Sequence, residues 1–184
     1  MGHILIIAGD GSSSGHLDYA IGRMHEEGFE VTVAAPIKKR LNTVVHERED
    51  WMNTYLERPG YFIDADASFD EIDPSKFDGL LLPGGRAPEY LRNIKRCGEI
   101  VKHFIEKNKP IGAICHGPLI LSTVVKGKRL TGVDSIKPDI ILSGNIWVET
   151  RSEAVIDENI VTAWKTPFYY VWIREFLLLL KKVA

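Results

Sequence analysis

Ile111-Gly112-Ala113-Ile114-Cys115-His116-Gly117-Pro118 is an apolar run that stops at a cysteine and resumes behind a proline suited to a helix's first turn. A strand that passes into a helix through one reactive residue is a nucleophile elbow. Its tight turn demands small residues two places before and after that residue, and Ala113 and Gly117 meet the demand. Such an elbow belongs at the carboxyl edge of a parallel sheet, where α/β folds bind ligands. The cysteine then faces a helix N-terminus, whose amide dipoles favour a thiolate, so an ionised Cys115 with a depressed pKa is expected. The plain alternative is an inert buried cysteine, which leaves the order Cys-His-Gly-Pro without a reason.

The rest of the chain reads as the same kind of sheet. His3 to Ala8 is continuously apolar and runs straight into glycines and serines, as a strand buried on both faces ends. Leu17, Ala20, Ile21 and Met24 recur at helical spacing up to a stop at Gly28, and Phe29 to Ala35 is a second apolar strand. Strand, helix and strand within about 35 residues make a right-handed βαβ unit. From Pro36 to Ser68 the alternation is lost, and short strands or a hairpin laid over the core are expected, with no second domain. Asp73-Pro74 starts a short helix ending near Phe77. Gly79 to Leu82 is a buried strand that enters the glycine-rich turn Pro83-Gly84-Gly85-Arg86-Ala87-Pro88-Glu89. A helix over about 94–107, the elbow strand, a helix over 118–125 and further βα alternation to a terminal helix from Tyr169 complete a single domain over 1–184.

Composition removes whole classes of partner. A formal net charge of −2, from 23 basic and 25 acidic residues, gives no electrostatic reason to expect nucleic acid or an anionic membrane. With 45% hydrophobic and 26% charged residues, the chain is that of a water-soluble globular protein. The apolar stretch Phe176 to Leu180 falls far below the roughly 20 residues that span a bilayer. Two cysteines far apart make no disulfide framework, nothing near Met1 reads as a signal peptide, and a cytoplasmic location is expected. No pattern calls for a metal or another cofactor.

At the elbow His116 is the first candidate base. Adjacent residues on a sharp turn commonly diverge, so it could instead cap local backbone. Gly84 and Gly85, lacking Cβ atoms, let main-chain N–H groups approach an oxyanion together with the amide of His116. His16 lies just after the first strand, on the same sheet edge as Cys115, whereas His3, His25, His46 and His103 read as surface or edge residues. Cys97 is read as structural, and Tyr169, Tyr170 and Trp172 as core or subunit contact.

The segments 83–89 and 113–118 resemble the signatures of the ThiJ/PfpI family, and the whole chain fits that pattern through Trp172-Ile173-Arg174-Glu175-Phe176-Leu177. The resemblance implies a flavodoxin-like three-layer α/β sandwich with a mainly parallel central sheet, in the class I glutamine amidotransferase-like superfamily. It implies a cysteine enzyme with Cys115 as nucleophile and His116 as companion. Glu89 is implied to reach His116 across the subunit interface of a homo-oligomer. The family's strand-one loop carries a glutamate that hydrogen-bonds the sulfur. Here the loop is Gly9-Asp10-Gly11-Ser12-Ser13-Ser14-Gly15-His16, with Ser13 in the glutamate's place. Proton work then falls to Asp10, His16 or Asp18, or the family chemistry is altered.

Three functions follow as expectations. One is a cysteine-dependent hydrolase or glyoxalase/deglycase-like enzyme acting on small carbonyl or acyl compounds, peptidase activity being the family's other implication. The second is a redox-sensing or stress-protective protein with a reactive thiol. The third is a phosphate or nucleotide binder using the loop from Gly11 to Gly15.

Overall fold

The first strand, β1 (His3–Ile7), sits at the centre of the protein because Ile4, Leu5 and Ile6 have no polar face and no exposed surface. A computed structural model describes residues 2–47, 49 and 51–183, apart from the side chain of Val183. Helix α1 (Ser14–Glu26) buries Leu17, Ala20 and Met24 along one stripe, and Gly28 at φ +82° closes it. It delivers the chain to β2 (Glu30–Ala35), parallel to β1.

Next come β3 (Arg40–Glu47) and β4 (Leu56–Asp64), an antiparallel hairpin with a bulge between Asn42 and Val44. The expected hairpin over the core is therefore present, built from longer strands than its irregular sequence suggests. The short β5 (Ala67–Ser68) then joins the edge of the main sheet beside β2. A 3-10 turn over Pro74–Lys76, capped by the Asp73 side chain, leads to β6 (Gly79–Leu82). Beyond it the glycine-rich turn gives way to α2 (Ala87–Leu91), a short helix the sequence reading took for loop. Pro88 in its first turn is the signal that was available.

Helix α3 (Lys95–Glu106) returns the chain to β7 (Ile111–Ile114), the strand ahead of Cys115. The helix behind the elbow, α4 (Pro118–Leu121), is one turn long, shorter than expected. Ser122 and Thr123 bond back to the carbonyls of Leu119 and Ile120 at 2.8 Å each, which competes with continued helix. Strands β8 (Arg129–Leu130) and β9 (Ile146–Trp147) pair only with each other and flank α5 (Lys137–Leu142). The chain ends through β10 (Val155–Asp157), β11 (Ile160–Ala163) and α6 (Tyr169–Val183).

The main sheet runs β10-β11-β7-β6-β1-β2-β5, parallel throughout except for β10 at its edge. Helices α1 and α6 pack together on one face and α3 packs on β6 from the other, which makes the three layers of an α/β sandwich. The chain moves outward from β1 in one direction and from β6 in the other, so a crevice opens at their carboxyl ends. The loops after β1, β6, β7 and β11 all converge there. Among the described residues, no helix is long and apolar enough to cross a membrane.

Phe176 is fully buried on α6, close against the backbone of Gly79 and Gly112 on the sheet. Phe176→Ala is expected to lower the free energy of unfolding by about 3–5 kcal/mol, read from urea denaturation, because the rigid sheet cannot collapse into the space left.

Candidate active site

Cys115 has φ +61°, a left-handed backbone that a residue with a Cβ rarely adopts. The conformation is held from three sides. The Cys115 amide donates to Ala163 O at 3.2 Å, the Val133 amide donates to Cys115 O at 3.1 Å, and the Gly117 amide closes the turn on Ile114 O at 2.8 Å. A Cβ on Gly117 would come within 2.2 Å of the Leu82 carbonyl, so glycine there is a packing requirement.

The loop after β6 presses on the thiol from the other side. A Cβ on Gly84 would lie 2.5 Å from Cys115 Cβ and 3.1 Å from both its Sγ and the His16 ring. Gly85, at φ +89°, is threaded between the loops, and a Cβ there would meet Gly11 O at 2.2 Å. The strand-one loop is laced to it: Ser13 N donates to Gly84 O at 2.9 Å, and Arg86 N donates to Gly11 O at 2.8 Å.

His116 Nδ1 lies 3.4 Å from Cys115 Sγ, and on its far side Nε2 faces Ser135 Oγ at 3.5 Å and Glu89 Oε1 at 3.8 Å. The ring thus reaches the sulfur despite sequence adjacency. Glu89 approaches it within one chain, because α2 begins directly after the Gly84-Gly85 turn. The pair is thus already in contact within one chain, where the resemblance implied a contact across an interface.

The thiol is not the thiolate the sequence suggested. Burial pushes Cys115 up to about 11, outweighing the lowering by the Gly85 and His116 amides that bond the sulfur and by the charge of Lys165. The helix behind the elbow is a single turn and its dipole is correspondingly weak. Burial also holds His116 down to about 4 against the opposing pull of Glu89, so imidazole and thiol both rest neutral.

His16 is buried beside Gly84, and burial lowers it to about 3. Gly84 N–H donates to its Nδ1 at 3.1 Å, so the proton of the neutral ring is on Nε2, which donates to Thr166 Oγ1 at 2.9 Å. Both nitrogens are engaged, and the ring ties three loops together instead of serving the sulfur. The same bond uses the Gly84 amide, leaving those of Gly85 and His116 at the thiol.

The other strand-one candidates lie elsewhere. Asp10 accepts from Asn42 N at 2.8 Å and pairs with Lys39, which fixes it to β3. Asp18 is exposed, since two residues along a helix turn it roughly 200° away from His16. Ser13 is buried at the start of α1, and among the described residues the sulfur's side-chain partner is His116. The phosphate reading of this loop loses three of its amides: those of Gly11, Ser12 and Ser13 already donate to the Asn42, Gly9 and Gly84 carbonyls. Cys97 is buried and pushed up to about 12, consistent with a structural residue. Trp172 is fully buried, whereas Tyr170 is exposed.

A cavity of about 470 Å³ opens over the sulfur, lined by Cys115, His16, Ser135, Lys165 and Thr166 and, from the hairpin, by His46 and Tyr55. His46 is therefore not the bystander the sequence implied. Its ring stacks on Tyr55 with centroids 4.2 Å apart, and its Nε2 lies 3.0 Å from Glu57 Oε1. Nothing local marks His46 and Tyr55 as cavity wall; only the β3–β4 pairing carries them there.

Two measurements test the electrostatics. With Cys97→Ser as background, alkylation of Cys115 by iodoacetamide should rise about tenfold per pH unit from pH 7 to 10; a plateau below pH 7 would indicate a resting thiolate. His16 and His116 titrate lower in the folded protein than their usual 6.5, so the unfolded chain binds more protons as the pH falls below that value. Stability present at neutrality is then lost toward about 3, with a slope of about 1.4 kcal/mol per pH unit for each proton taken up. Burial and the charges of Lys109 and Lys107 lower His103 as well, so His16→Asn removes one of three groups and should take between about a third and a half off the histidine part of the slope between pH 6 and 5.

The DJ-1/PfpI family model matches residues 2–178. Deglycase PfpI of Pyrococcus furiosus is 37% identical over 180 residues, covering 97% of this chain and 99% of the relative. Protein/nucleic acid deglycase 2 of Escherichia coli is 40% identical over 104 residues, 55% of this chain and 59% of its own. A solved ThiJ/PfpI domain protein from Brachyspira murdochii has the same fold, with a TM-score of 0.82 at 17% identity, over 99% of this chain and 97% of that one. With the family model spanning nearly the whole sequence and a full-length relative above one-third identity, the chain belongs to the DJ-1/PfpI family.

Proposed function

We propose that the protein is a cysteine-dependent enzyme of the deglycase or glyoxalase type, acting on small carbonyl compounds through Cys115. The observation that carries this reading is a thiol 3.4 Å from the Nδ1 of a neutral imidazole, beneath a cavity of about 470 Å³. The deglycase names of the relatives support the same class.

A neutral pair makes proton transfer part of the attack. Sγ–H gives its proton to His116 Nδ1 as the sulfur lone pair bonds the carbonyl carbon, and the carbonyl π pair moves onto oxygen. The Gly85 and His116 amides, already bonded to the sulfur, lie beside the place where that oxygen forms. Glu89, 3.8 Å from His116 Nε2, then faces an imidazolium and stabilises it. The proton then passes from His116 to that oxygen to give a thiohemiacetal. A buried thiol raised to about 11 weighs against the redox-sensor reading, which requires an exposed thiolate.

Methylglyoxal consumption, followed by the lactate formed, tests the proposal. Cys115→Ala is expected to abolish it, and His116→Asn to lower kcat by about 10²- to 10⁴-fold. A wild-type protein whose thiol is alkylated but which makes no lactate would sink the enzyme reading.

A further inference from the structure

The proposed chemistry needs a second proton-transfer group. His116 serves the sulfur, both His16 nitrogens are occupied, and neither Asp10 nor Asp18 reaches the cavity. The wall supplied by the hairpin does hold such a group. His46 on β3 and Glu57 on β4 are direct partners in the antiparallel register, so the ladder itself sets the 3.0 Å contact between Nε2 and the carboxylate. A carboxylate at Nε2 makes that nitrogen the protonated one and leaves the lone pair on Nδ1. Stacking on Tyr55 restrains the ring, and both rings line the cavity over Cys115. A second proton on His46 would disfavour charge on both His16 and His116, which places the three rings near one another.

We infer that His46, oriented by Glu57, is the second acid–base residue of the Cys115 site and moves a proton between adjacent carbons of a bound 2-oxoaldehyde. The inference rests on the carbonyl-enzyme reading above. In the thiohemiacetal, the carbon bonded to sulfur carries a hydrogen, a hydroxyl and the neighbouring carbonyl carbon. His46 Nδ1 takes that hydrogen as a proton, the C–H pair becomes a carbon–carbon double bond, and the neighbouring carbonyl π pair moves onto its oxygen. The protonated His46 then returns the proton to the neighbouring carbon. The hydroxyl proton on the first carbon passes to the neighbouring oxygen, which leaves a thioester beside a new alcohol. One carbon is oxidised and its neighbour reduced, so no external oxidant enters. Water then attacks the thioester, the S–C bond breaks, the sulfur recovers a proton, and a 2-hydroxy acid leaves. Glu57 acts through His46 and is a positioning residue.

The test compares lactate formation from methylglyoxal and iodoacetamide alkylation of Cys115 in wild type, His46→Gln, His46→Ala and Glu57→Gln, each checked for folding by circular dichroism. Expected is a fall in kcat of about 10²-fold or more for His46→Gln, with KM and the alkylation rate within about threefold of wild type. Glu57→Gln should show a smaller loss in kcat, and added imidazole should restore part of the His46→Ala rate. Should His46→Gln fail to fold, Glu57→Gln decides by the same split between kcat and alkylation. Folded His46→Gln with wild-type kcat overturns the inference alone, as does a loss of turnover matched by an equal loss of alkylation. If wild type makes no lactate, or Cys115→Ala still does, the carbonyl-enzyme reading fails and this inference falls with it.

Discussion

Everything at the site depends on how closely the backbone of Gly84 approaches Cys115. With a hydrogen where any other residue has a Cβ, the loop after β6 lies directly against the thiol. A non-glycine residue held at positive φ costs on the order of 1–3 kcal/mol, and it persists only where its surroundings over-determine it. Here they do so through backbone bonds from β11, from the segment entering α5, and within the elbow. His16 completes the arrangement by bridging Gly84 to Thr166, so a buried imidazole acts as a strut.

The same enclosure sets the electrostatics. Removing water from a thiol and two imidazoles favours the uncharged form of each, and a single turn of helix with two amides does not reverse that balance. Thiol and imidazole therefore rest without charge, and in the proposed reaction charge appears only when a substrate is attacked. A low dielectric makes each fixed dipole near the new oxyanion more effective than it would be in water.

The sheet was legible because strands buried on both faces carry unbroken apolar runs, as His3 to Ala8 and Gly79 to Leu82 do. The elbow was legible for a steric reason, since the Leu82 carbonyl leaves Gly117 no room for a Cβ. What sequence could not supply was orientation. Asp10, His16 and Asp18 share one loop and helix start, yet their side chains diverge to β3, to Gly84 and to solvent. The ionisation of Cys115 depends on burial, which a motif does not report. Glu89 was recognised by its place in a motif, but its approach to His116 follows from the position of α2. His46 and Glu57 lie eleven residues apart in a segment without periodicity, and only the register joins them.

The hairpin that carries His46 is anchored near its base, where Asn42 and Val44 exchange main-chain bonds with Gly11 and Ser12, and beyond that its ladder is internal. Scaffold and wall are thus energetically separable: the seven-stranded sheet folds around its own apolar runs whatever the outer half of the hairpin contains. Lineages are free to lengthen, shorten or rewrite that panel, exchanging what meets the sulfur, without renegotiating the core that holds the sulfur in place.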